Sequence, residues 1–176
     1  MEENKGLLLK CAMSYGLAMG IYWVIKYLFL IFGYSIPALI YIYEVLSIAV
    51  PFIAYYLTKR YRQDIGGSIS FFHAWRFGIM LYFFAALIVS IEHFIFFQFI
   101  APPDFLSNTM TQAIIALKNA NFNSEVIEAI KQTNFTPIHL AIQQIFNNIF
   151  YGIILSIPVA ALVCRSRTAS PVSEEK

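Results

Sequence analysis

The sequence predicts an all-α, polytopic membrane protein: four transmembrane helices, with short amphipathic helices in the loop between the third and fourth. Three observations predict it. Apolar residues make up 59% of the 176-residue chain and charged residues 12%, where soluble domains run near 45–50% and about 25%. The apolar residues gather into four stretches, 7–32, 36–57, 71–100 and 137–164. At about 1.5 Å per residue, each is long enough to cross a hydrocarbon core of roughly 30 Å. The basic residues then fall on one side: Lys5, Lys10, Lys59, Arg60, Arg62, Arg76, Arg165, Arg167 and Lys176, against Lys118 and Lys131 on the other. The positive-inside bias puts both termini in the cytoplasm and the 101–136 loop outside.

Four spans occupy most of the chain, so 1–168 reads as one four-helix transmembrane domain. Residues 169–176 read as a disordered cytoplasmic tail, being polar and short. The first span follows Lys5 and Lys10, as a signal peptide would. Its apolar part runs well past a signal h-region of roughly 7–15 residues, and no small-x-small site follows, so it is expected to stay as a helix. Gly33-Tyr34-Ser35 ends it, and Pro37 opens the second span at a position where a missing N–H costs nothing. A tight helical hairpin follows from that pairing.

The second span ends in Lys59-Arg60-Tyr61-Arg62, and Gly66-Gly67 supplies a turn. Ser70 is placed to cap the third helix. At roughly 45 Å the third stretch exceeds the hydrocarbon core, so it must tilt or begin in the interface, where Trp75 and Arg76 anchor. Pro102-Pro103 stops it. Two short amphipathic helices are expected in the loop, about 109–119 and 124–132, the second capped by Ser124 or Asn123, with Glu125 and Glu128 favourably placed in its first turn. Together they form a lid or lie in the interface.

Hydrocarbon cannot solvate polar groups, so those inside the spans should find one another. Lys26, Glu44, Glu92, His93, Gln143 and Asn147 form this candidate network. Lys26 and Glu44 both lie about 10 Å below the outer boundary on helices joined by the hairpin, which predicts an ion pair; outward snorkelling of Lys26 is the alternative. Glu92 and His93 point about 100° apart, so they cannot share one partner. In the fourth span His139, Gln143, Asn147 and Tyr151 form one polar stripe, and Gln144 with Asn148 a neighbouring one; an inward face beside an oligomer face would explain both. Ala12, Gly16 and Gly20 form a small-xxx-small ladder suited to close helix packing. The network reads either as a proton or ion relay or as a fixed polar knot that sets helix register. The second is the better account.

Other chemistry is hard to find. His73, His93 and His139 are scattered and lack metal-ligand spacing. Cys11 and Cys164 read as small apolar residues on a reducing side, not a redox pair. No nucleophile and base sit at a useful spacing, no cofactor motif is present, and no basic stripe suits nucleic acid. Asn134-Phe135-Thr136 is a glycosylation sequon that chance explains. At the cytoplasmic face, Arg60, Arg62, Gly66, Gly67, Ser70 and Arg76 form a loop anchor, either a partner-docking surface or a hold on anionic headgroups.

One pattern goes further. Tyr61-Arg62-Gln63-Asp64, Gly66-Gly67, Ile69-Ser70-Phe71, Ala74 and Gly78, then Pro103-Asp104-Phe105, resemble the domain-of-unknown-function 4199 family. Lys10, Gly16, Gly20 and the basic end of the fourth span fit the same pattern. The resemblance implies a short bacterial inner-membrane protein and implies no activity. The chain is therefore expected to be a non-enzymatic scaffold or accessory subunit, with the bilayer and a membrane-protein partner or second copy as its contacts. The competing expectation is a small oligomeric transporter or channel component, its polar path lined by Lys26, Glu44 and Glu92.

Overall fold

The computed structural model describes residues 5–33, 35–132 and 136–165. The expected tail 169–176, Tyr34 in the first hairpin and Asn134 of the sequon lie outside the described residues. Among those residues there are six α-helices and no strand: α1 (Lys5–Gly33), α2 (Ala38–Asp64), α3 (Phe71–Ile95), α4 (Phe105–Asn119), α5 (Ser124–Gln132) and α6 (Pro137–Arg165). A π-helical turn, Phe96–Ile100, extends α3 and ends in a bond from the Ala101 N–H to the Phe96 carbonyl. The stretches 6–33, 38–64, 71–100 and 137–165 are long and apolar enough to cross a membrane.

Turn chemistry sets the boundaries. The Ser35 and Ile36 N–H groups donate to the Phe32 carbonyl, which closes the α1–α2 hairpin. A Cβ on Gly33 would come within 2.7 Å of Ile40 Cγ1, so a larger residue would force that hairpin open. α2 runs seven residues beyond the expected end at 57, because its basic segment stays helical to Asp64. It stops in a Schellman arrangement: the Gly67 N–H bonds to the Arg62 carbonyl and the Gly66 N–H to the Gln63 carbonyl. Gly66 and Gly67 have φ of 96° and 83°, which side chains with a Cβ resist. Ser70 caps α3, its Oγ accepting from the His73 N–H at 3.3 Å.

The chain divides into two compact units, Met1–Val89 with Ile145–Lys176, and Ser90–Gln144. In the first unit α1 packs closely on α2 and α3. Gly16 and Gly20 lie against Phe84 and Ile88 of α3, where added Cβ atoms would stand 2.5 and 2.7 Å from the facing Cβ atoms. α3 meets α6 in the same way, through Gly78 against Ser156 and Gly152 against Tyr82. Close approach through small residues is what drives helix association where lipid is as apolar as the side chains. The core they enclose includes Trp23, Tyr61, Phe77, Tyr82, Val89 and Val163. α2 buries least: 11% of its most apolar window, against 39% for α1.

In the second unit α4 begins four residues earlier than the sequence predicts, at Phe105, because the turn after Pro102-Pro103 already bonds the Phe105 N–H to the Pro102 carbonyl. Phe105 then sits between the Phe96 and Phe97 rings, with centroids 5.4 and 5.8 Å away. α4 also ends in a Schellman pair, with Asn121 at φ 55°. α5 has the expected bounds, and its cap is Asn123, whose Oδ1 accepts from the Glu125 N–H at 3.0 Å. Ile127 is its buried residue.

Candidate functional site

The first unit gathers polar side chains at the end where α2 stops and α3 starts. Arg62 is 8% exposed. Its Nε donates to the Gly67 carbonyl at 2.7 Å and its Nη1 to the Val163 carbonyl at 2.8 Å. One guanidinium thus holds the α2–α3 turn and the last turn of α6, and its positive charge complements the negative end of α6. Arg62 does not project toward headgroups, as the sequence reading of it as part of a lipid anchor allowed. Buried carbonyls satisfy it instead. Arg60 and Arg76 are exposed.

Around Arg62 three further bonds tie the helices. Tyr15 donates its hydroxyl to Asp64 Oδ2, joining α1 to the end of α2. Tyr61 Oη and His73 Nε2 are 2.7 Å apart, and the Tyr61 ring stacks on Phe77 at 4.0 Å between centroids. Trp75 Nε1 donates to the Ile153 carbonyl at 3.1 Å. This bond ties the start of α3 to α6.

The second polar feature of this unit is Lys26, 7% exposed. Its ammonium stands 4.5 Å from the Tyr27 ring centroid, 5.1 Å from Tyr43 and 5.8 Å from Trp23. Aromatic faces attract a desolvated cation through their quadrupoles. The expected Lys26–Glu44 ion pair is not formed: Glu44 is exposed, and among the described residues no ion pair joins the two. The hairpin turns Lys26 toward Tyr43, one residue before Glu44, and 100° of helix rotation carries the carboxylate away from the interface.

The remaining candidates separate by face. Gln143 and Asn147, expected in the buried network, are instead exposed, because they lie on the α6 face turned outward, while Gln144 and Asn148 are half-buried. In the second unit Glu92 is half-buried and His93 is buried, with its ring 5.9 Å from Phe97. Ala12 is fully buried on the α1 face that carries Gly16 and Gly20. Sequence reasoning missed Tyr15, Tyr61 and Asp64 as partners, and the aromatic surround of Lys26, because nothing local marks which tyrosine faces inward. Gly78 and Gly152 were findable, being small residues within long apolar stretches.

Buried polar groups tied to backbone and rings, on helices long enough to span, define an integral multi-pass helical membrane protein. The family described as "Protein of unknown function (DUF4199)" matches residues 14–165, and the chain belongs to it. No curated protein and no solved structure matches the chain significantly.

Proposed function

We propose that the chain is a non-enzymatic accessory or scaffold subunit of the bacterial cytoplasmic membrane, with both termini in the cytoplasm. The observation that carries this reading is the exposure of Glu44 and Gln143 on helices that span. A carboxylate or carboxamide facing lipid is unfavourable, by about 2.5–3.5 kcal/mol for an acid on insertion scales, so such groups face protein. The chain itself does not cover them. A neighbouring transmembrane helix, from another protein or a second copy, supplies the cover. The buried polar groups support the same reading. Arg62 is committed to backbone carbonyls and Lys26 stands among rings, which is how fixed structural groups are held.

Cross-linking in the original membrane, gentle extraction, and measurement of the mass and composition of the complex test this. A reproducible complex that dissociates when Glu44→Leu and Gln143→Leu are combined is the expected result. A monomer of unchanged mass in both forms argues against it, and ion flux in proteoliposomes that is lost in Glu44→Leu would shift the account to transport.

A further inference from the structure

We propose that the end of α2 holds the phosphodiester headgroup of one anionic phospholipid, independently of any protein partner. A recess of about 370 Å³ there is lined by Tyr56, Lys59, Arg60, Gln63 and Asp64. Lys59 and Arg60 are exposed, and among the described residues neither has an ion-pair partner. Arg60 uses one donor in a long 3.5 Å contact with Tyr56 Oη. Asp64 lends Oδ2 to the Tyr15 hydroxyl. Two cations and one carboxylate leave the recess one net positive charge, matching a singly charged diester.

Depth selects a lipid over a free anion. From Ala38, α2 is 27 residues long, roughly 40 Å, against a hydrocarbon core of about 30 Å. Its last two turns therefore stand at headgroup level. Val45, Ile48, Phe52 and Tyr56 are all exposed and recur at helical spacing on the face that leads to Lys59 and Gln63. This face offers an acyl chain a continuous apolar track ending at Lys59 and Arg60. Gln63 and Asp64 remain to hydrogen-bond hydroxyl groups of the headgroup.

The test uses the full chain, purified in mild detergent and offered equal amounts of phosphatidylglycerol, phosphatidylethanolamine and phosphatidylcholine, with retained lipid read by native mass spectrometry. One retained phosphatidylglycerol is expected. Lys59→Gln with Arg60→Gln should reduce its retention roughly tenfold or more, since each cation near the surface contributes separately. Lys118→Gln, which removes a charge from α4, should leave retention unchanged. Phe52→Asn should weaken lipid retention by interrupting the track, and it gives a second reading should the double variant fail to fold. Equal retention of the three lipids, or an equal drop in Lys118→Gln, overturns the proposal. Displacement of the lipid by millimolar inorganic phosphate, with Phe52→Asn silent, assigns the recess to free phosphate and overturns it too.

Discussion

Arg62 donates through Nη1 to the carbonyl of Val163, 101 residues further along the chain, at 2.8 Å. The same side chain reaches the Gly67 carbonyl, so one buried cation fixes a turn and two helix ends. Arg62→Ala leaves a buried and a half-buried carbonyl without this donor. It should destabilise the protein by about 2–3 kcal/mol, the scale of a charge-assisted bond lost with its partner left behind. Arg62→Lys should recover only part of that, because an ammonium lacks the fork that meets two carbonyls at once. Equilibrium unfolding in mixed micelles measures both.

Tyr61 separates two contributions that usually travel together. Its hydroxyl meets His73 and its ring lies flat on Phe77. Tyr61→Phe keeps the stack and should cost about 1 kcal/mol. Tyr61→Ala also empties a fully buried site and should cost about 3–5 kcal/mol. Similar losses in the same unfolding assay would mean that the hydrogen bond, not the ring, dominates.

The glycine positions predict an ordered series. Gly16→Ala and Gly152→Ala drive a methyl into Phe84 and Tyr82, and each should cost about 1–3 kcal/mol through overpacking. Gly66 has nothing within 4 Å of an added Cβ but sits at φ 96°, so Gly66→Ala should show a backbone penalty without a packing one. Thermal inactivation in detergent ranks the three, and Gly66→Asn should be milder than Gly66→Ala, because asparagine tolerates the left-handed region.

Lys26 and Tyr43 should be energetically coupled. In a double-mutant cycle with Lys26→Met and Tyr43→Leu, a coupling of roughly 0.5–2 kcal/mol is expected from the cation above the ring. Strict additivity would show that the 5.1 Å approach carries no energy.

The elements were largely legible because hydrophobic length, proline and glycine act locally. The turn at Gly66-Gly67, the hairpin at Gly33 and the bounds of α5 follow from residues within a few positions. The surroundings of Lys26 were not legible, since depth along two helices says nothing about rotation: Glu44 and Tyr43 lie at nearly equal depth, and only Tyr43 meets the ammonium. Arg62 illustrates the same limit. It sits between exposed Arg60 and exposed Gln63, and its burial depends on where α6 ends.

The central claim is that a protein helix covers Glu44 and Gln143 in the membrane. The direct measurement is photo-crosslinking from a benzophenone amino acid placed at position 44, at position 143, and at Ile21, exposed on α1, as a lipid-facing reference, in the native membrane. Discrete protein adducts from positions 44 and 143 that are weak or absent at Ile21 are predicted. Lipid adducts alone, equal at all three positions, would contradict the account.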